Sequence, residues 1–383
     1  MKRTTNSSSR FAVVLSALIA ASACTDDGLG LDSNAPEFDI DVFEQNVIDG
    51  MLGTVGWAYV INQDGNLARS GAFGDARSAD DGQLDFTTSK HINIASITKF
   101  LTAIAVMQLL DERNLTVDDE IEPWLPADWT LGPGVDELTF RDLMSHGSGL
   151  NSTNTNFSGT LCYDCLAAVI EEGVTQSKAY NYLNANFALF RVMIPMMWAG
   201  LQGGPAFVIP TEATTSAIYA EYVEENLFAP IGLTGASLLP EDPATATLYY
   251  AVGDPSNGIN GIAYGDWTDI AGGGGYYMST QDIARILAFY EHSNTLVSDA
   301  ARTTMKSNLC GFDLHSNSFE QWGEYFHKNG GITNGRGQGV MTEAIIFPNG
   351  VEIAVTTNTA GLLFPFGDSF RQMIYRAFNN AWE

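Results

Sequence analysis

Ser96, Lys99, Tyr182 and Lys328 are the residues whose types and neighbours could carry covalent chemistry. Ser96-Ile97-Thr98-Lys99 is the only S-x-x-K in the chain. On a helix, residues three apart share a face, so the two side chains can touch. A serine hydroxyl becomes a nucleophile when a base takes its proton, and a partly desolvated lysine can be that base. The N-terminus of the same helix would aim backbone N–H groups at developing negative charge. Tyr182-Leu183-Asn184 is the only Y-x-N among fourteen tyrosines. Two neighbouring ammonium groups would lower its phenol pKa and let it relay the serine proton to a leaving group. Lys328-Asn329-Gly330-Gly331 would add positive charge, a hydrogen bond from Asn329 and glycines against which a substrate backbone can lie. The Gly331 N–H would join that of Ser96 in an oxyanion hole. Asn184, Asn329, Gly330 and Gly331 are thus the candidate substrate contacts. Each motif alone also has a structural explanation: a chance pair, a packed loop tyrosine, a Gly-rich turn.

Elements that would position these residues come from both chain ends. Trp57, Tyr59 and Ile61 alternate before Asp64-Gly65, and Leu67 to Phe73 run back, which predicts a hairpin over 54–74. Residues 344–347, the turn Pro348-Asn349-Gly350 and residues 351–357 predict a second. A helix follows, with Phe370, Ile374, Phe378 and Trp382 at every fourth position. Between the ends lie helical signals over 97–110, 218–227 and 281–290, and Tyr182 falls in a loop expected from Tyr180 to Phe187. The helix from Ile97 is apolar nearly all round, which predicts burial in the middle of the molecule. The order implies an α/β (α+β) fold: an antiparallel sheet built from both chain ends, flanked by helices, with a mostly helical inserted region and a cleft between them. A sheet lobe of 49–92 and 318–383 and a helical lobe of 93–317 are expected.

Residues 1–23 carry Lys2, Arg3 and Arg10, an apolar run from Phe11 to Ala20, and Ala21-Ser22-Ala23 before Cys24, the layout of an export signal. Two readings stand at its end. Ala21-x-Ala23 fits ordinary cleavage and secretion. Small residues before Cys24 also fit a lipoprotein signal, in which Cys24 carries lipid and attaches a periplasmic or cell-envelope protein to a membrane; the polar stretch after it, within a tether expected over 24–48, favours this reading. No later stretch has the roughly 20 apolar residues of a membrane-spanning helix. Removing the signal takes away three positive charges and no acid, so the net charge goes from −27 to −30. That argues against nucleic acid as a partner. Cys162 and Cys165 form a C-x-x-C pair able to close as a disulfide after export. No zinc set is completed by Cys310 or the five histidines, and no cofactor or metal is expected.

Taken together, the three motifs resemble those of the serine β-lactamase and penicillin-binding-protein superfamily, S-x-x-K, Y-x-N and K-T-G, in the same order. The Y-x-N form is similar to the class C β-lactamase branch, with its D-alanyl-D-alanine carboxypeptidases, D-aminopeptidases and family VIII carboxylesterases. Three further segments are similar to that branch: Leu138 to Leu150 around His146-Gly-Ser-Gly, Leu227 to Leu233, and Gly273 to Arg285. The resemblance covers residues 49–383. It implies a β-lactamase/transpeptidase-like fold and a serine hydrolase that forms an acyl-Ser96 intermediate from an ester, an amide or a D-amino-acid peptide. A carboxypeptidase or a class C-type β-lactamase is the alternative. A binding protein that has lost catalysis on the same fold is a different class, disfavoured because two of the five mature lysines would stand in one cleft. Asn329 stands where the family has Thr or Ser, and the Pro-Gly turn common before Y-x-N is absent from 174–179, which argues against efficient β-lactamase activity. His327 is expected to point away from the cleft, since strand neighbours alternate faces. His146 is expected to be structural. Arg336 is a candidate for meeting a substrate carboxylate.

Overall fold

Asp64 and Gly65 both adopt positive φ, 51° and 73°, the backbone of a type I′ turn, so the strands on either side close into a tight hairpin. β1 is Gly56–Gln63 and β2 is Asn66–Arg77. A computed structural model describes residues 36–151, 161–314 and 318–383, and Phe38–Glu383 form one compact unit. The export signal (1–23), Cys24 and the stretch to residue 35 lie outside the described residues. Short strands β3 (Leu84–Asp85), β4 (Ile92–Asn93), β5 (Tyr250–Ala251) and β6 (Tyr277–Met278) precede the second sheet segment. That segment comprises β7 (Phe326–Thr333), β8 (Gly339–Ile346), β9 (Val351–Thr357) and β10 (Thr359–Ala360).

β1 from the N-terminal half pairs antiparallel with β9 from the C-terminal end, Trp57 opposite Thr357 and Gln63 opposite Val351. The main sheet runs β10-β5-β8-β9-β1-β2-β3, with β7 on β8. It is antiparallel except where β10 meets β5. Helices α1 (Ile40–Gly50) and α9 (Phe370–Asn379) cover one face. There Phe347 and Phe378 stack with ring centroids 3.8 Å apart, and Phe43 meets both edge-on. Fully burying each such ring contributes about 1.5–3 kcal/mol.

The other face is covered by the helical region, whose centre is α2 (Thr98–Arg113). α2 is buried from Thr98 to Met107, as its apolar surface on all sides requires. Around it stand α3 (Phe140–Met144), α4 (Tyr163–Glu172), α5 (Asn184–Trp198), α6 (Glu212–Val223), α7 (Thr280–His292) and α8 (Asp299–Asn308).

Four expectations are corrected. The stretch expected as tether to residue 48 contains α1, capped by Asp39 and anchored by buried Phe43 and Val47, so the compact unit begins at Phe38. Asn184 to Phe187 are the first turn of α5 and not loop; α5 is apolar on every side and therefore shows no amphipathic period. α6 starts at Glu212, six residues before the periodic signal, because Thr211 and Thr214 form a capping box. Finally, β5 joins the main sheet and α7 packs on β1 and β9, so the sheet layer draws on residues 93–317 as well as the chain ends.

Candidate active site

Ser96 sits in a one-turn 3-10 helix, Ala95–Ile97, that leads into α2. Ala95 is held at φ 49°, unusual for a residue with a Cβ. Asn93 Oδ1 accepts its N–H at 2.9 Å, and Tyr276 O accepts the Ile94 N–H at 2.8 Å. Thr342 Oγ1, from β8, donates to Ile94 O at 3.1 Å. β7 lies against this turn: a Cβ on Gly330 would stand 2.4 Å from Ile94 O and 2.3 Å from Thr342 Oγ1. Glycine is therefore required by contact at this position, independent of backbone freedom.

Around the Ser96 hydroxyl the candidate residues converge. Tyr182 OH donates to Ser96 Oγ at 2.9 Å and Lys99 Nζ donates to it at 3.2 Å. Lys99 Nζ also donates to Asn184 Oδ1 at 2.8 Å and to Gly273 O, so three acceptors surround its three protons. Gly273 belongs to the 272–275 glycine run, where Gly272 and Gly275 have φ 85° and 105°. Burial pulls the Lys99 ammonium below its ordinary range and the Lys328 charge adds to that, against the attraction of Tyr182. Burial would raise the Tyr182 phenol, but Lys99 and Lys328 outweigh it and hold the phenol below its ordinary value. The two ammonium nitrogens lie 5.0 and 5.2 Å from the Tyr182 ring centroid. Tyr182 is 39% exposed and Ser96 5%, so the tyrosine forms the rim and the serine the floor.

Lys328 extends from β7 toward Tyr182 and is clamped by Asp313, Nζ to Oδ1 at 2.6 Å. The second oxygen, Oδ2, accepts the Asn329 N–H at 3.0 Å, while the Asp313 N–H donates to His327 O at 2.9 Å. Backbone groups of His327 and Asn329 thus leave β7 on the side away from β8. With unbroken register from Phe326↔Ile346 to Thr333↔Gly339, the Gly331 N–H leaves on that side too. Ser96, in a first helical turn, also has an N–H without an intrahelical acceptor. Burial opposes the charge of both Lys328 and Asp313. Their attraction wins, raising the lysine and lowering the carboxylic acid from their ordinary values. Behind β7, on its opposite face, the buried His327 ring contacts Arg371 and meets Tyr375 OH at 2.9 Å through Nδ1. Buried Glu343 stands opposite Asn329 in the register; burial pushes its carboxyl up to about 8.

The structure brings Ser96, Lys99, Tyr182, Asn184 and Lys328 into one cluster, with Gly330 against the serine turn. Asn329 is exposed, and its N–H is taken by Asp313. Arg336 is exposed in the β7–β8 turn. His146 is buried beneath Tyr182, ring centroids 4.4 Å apart, with Nδ1 accepting the Leu183 N–H at 3.2 Å. Burial first, then Lys99 and Lys328, keep this histidine neutral, so it props the tyrosine. Sequence reasoning missed Asp313, the Gly273 carbonyl and this use of His146. No spacing rule links them to the motifs; the isolated acid in the apolar stretch Cys310-Gly-Phe-Asp313 was the one available signal. Cys162 and Cys165 form a disulfide at the start of α4, and Cys310 is buried as a free thiol. Among the described residues no group of His, Cys, Asp or Glu is arranged to hold a metal ion, and no helix is long and apolar enough to cross a membrane.

Known proteins share this arrangement of elements. The structure of the octameric penicillin-binding protein homologue from Pyrococcus abyssi superposes with a TM-score of 0.66 at 19% identity, over 88% of this chain and 76% of that one. The D-amino acid amidase from Ochrobactrum anthropi gives 0.63 at 16% identity, over 89% and 98%. In sequence, the putative penicillin-binding protein PbpX of Bacillus subtilis is 26% identical over 61% of this chain and 54% of its own length. A teichoic acid D-alanine hydrolase of Staphylococcus aureus is 22% identical over 51% and 44%. The chain thus spans about half the length of these curated relatives. The Beta-lactamase family model matches residues 43–372, nearly the whole described unit, and the chain belongs to that family, within the serine β-lactamase and penicillin-binding-protein superfamily.

Proposed function

We propose that this chain is a serine hydrolase that transfers the acyl group of an ester, amide or D-amino-acid peptide to Ser96 and then to water. The observation that carries the reading is the pair of hydrogen bonds on Ser96 Oγ, from Tyr182 OH at 2.9 Å and Lys99 Nζ at 3.2 Å. Three acceptors around Lys99 Nζ suit its ammonium form, and that charge with Lys328 favours ionised Tyr182. In this reading the reactive form has Tyr182 deprotonated, so the hydrogen bond to Ser96 reverses and the phenolate takes the Ser96 proton as Oγ bonds to the acyl carbon. Electrons on the carbonyl oxygen gather against the N–H groups of Ser96 and Gly331. As the carbon–leaving-group bond breaks, Tyr182 passes the proton to the departing oxygen or nitrogen. Water repeats the sequence on acyl-Ser96 and frees the acid. The signal read in residues 1–23 supports an exported enzyme, with Cys24 as its lipid attachment point.

The test is intact-protein mass spectrometry after exposure to a fluorophosphonate and, separately, a penicillin, with Ser96→Ala alongside. Labelling lost in Ser96→Ala is the expected result. An enzyme of esterase character reacts with the first reagent, and a penicillin-recognising one with both. No adduct from either would refute the acyl-serine reading in favour of a non-catalytic binding protein.

A further inference from the structure

Lys328 Nζ stands 5.2 Å from the Tyr182 ring centroid, so a leaving group that takes a proton from the Tyr182 hydroxyl departs close to this ammonium. An ammonium there would draw a carboxylate carried by the leaving group. The chain already supplies one. Asp313 places Oδ1 on Lys328 Nζ at 2.6 Å and Oδ2 on the Asn329 N–H at 3.0 Å. One carboxylate thus takes both the charge and the edge N–H that β7 offers beside the nucleophile. Its position is fixed from two sides. The Asp313 N–H is tied to His327 O, and Gly311, at φ 83°, is pressed on α2 so closely that a Cβ would stand 2.6 Å from that of Ala103.

We infer that Asp313 is a specificity-determining residue that excludes substrates with a carboxylate on the leaving group and directs the enzyme to neutral leaving groups, those of esters and amides. This rests on the acyl-serine reading above and narrows it. A peptide ending in a free carboxylate carries that anion on the amine it releases, so it falls in the disfavoured class. Like-charge contact in a partly dehydrated site opposes such a substrate by about tenfold or more in rate.

The experiment compares Ser96 modification by two phosphonate diesters that differ only in the leaving group, 3-carboxyphenoxide, which carries a carboxylate, or 3-carbamoylphenoxide, which does not. A fluorophosphonate serves as the reference label. The expected wild-type result is a second-order rate constant about tenfold or more higher for the carbamoyl compound. In Asp313→Asn, and in Asp313→Asn/Lys328→Met, which removes both charges and leaves no buried ammonium unpaired, the ratio should fall at least about threefold. Equal rates in the wild type, a faster carboxylate, or no reaction with either diester in protein that takes the fluorophosphonate would overturn the inference and leave the acyl-serine reading standing. A ratio unchanged in a variant that still takes the fluorophosphonate assigns the preference to other groups and overturns it as well. Failure of the fluorophosphonate on the wild type overturns both.

Discussion

Gly330→Ala isolates the contact that sets the distance between β7 and the nucleophile. The added Cβ would meet Ile94 O at 2.4 Å, a backbone atom held by the turn before Ser96, and Thr342 Oγ1 at 2.3 Å. Thr342 can rotate away at the loss of its hydrogen bonds to Ile94 O and Gly330 O. Ile94 O cannot, because its turn continues into buried α2. Cβ atoms essentially never approach closer than 3.0 Å, so β7 must retreat by at least about 0.6 Å. Overpacking of this kind costs about 1–3 kcal/mol. The retreat also carries the Gly331 N–H away from Ser96, and displacements near 1 Å lower rates on the order of 100-fold. We expect Ser96 phosphonylation to slow by roughly 10- to 100-fold and the melting temperature to fall by a few degrees. Gly331→Ala is the control for stability: its Cβ would meet nothing nearer than Val340 O at 3.8 Å. Stopped-flow labelling and thermal unfolding of both variants decide the matter. A Gly330→Ala protein that labels at the wild-type rate, or a Gly331→Ala protein destabilised as much, would refute the packing argument.

Acylation that needs ionised Tyr182 falls as pH drops through the tyrosine pKa, which Lys99 and Lys328 hold below the ordinary value. Lys328→Met removes one of those charges and should move the acidic limb of the labelling rate to higher pH. Asp313→Asn removes the carboxylate that balances Lys328 and should move it lower; shifts of one sign in both variants would exclude Tyr182 as the titrating base. Glu343 has a folded pKa of about 8, above its unfolded value. It therefore favours the folded state in its protonated form, and that contribution is complete at acid pH and lost as pH rises through about 8. Denaturant unfolding of Glu343→Gln should lose less stability than the wild type between pH 5 and 9, and parallel curves would place the cost elsewhere.

Both hairpins, α2, α7 and α9 were legible because their signals are local: alternation about Asp64-Gly65 and Pro348-Asn349-Gly350, and apolar residues at helical spacing. So were the members of the site that lie in short motifs, Ser96 with Lys99, Tyr182 with Asn184, and Lys328 with its glycines. α5 and α1 were not legible. The first is apolar on every side and presents no period, and the second follows a polar stretch that reads as tether.

Sequence alone determined which residues could react, since an S-x-x-K or a Y-x-N is complete within four residues. Tertiary structure decided what surrounds them. Asp313 reaches Lys328 from 15 positions away, the Gly273 carbonyl reaches Lys99 from 174, and His146 reaches under Tyr182 from 36. Charge balance and burial are sums over all neighbours in space. The Lys328–Asp313 pair and the lowered Tyr182 pKa therefore exist only once β7, α2, α5 and the segment after α8 are packed together.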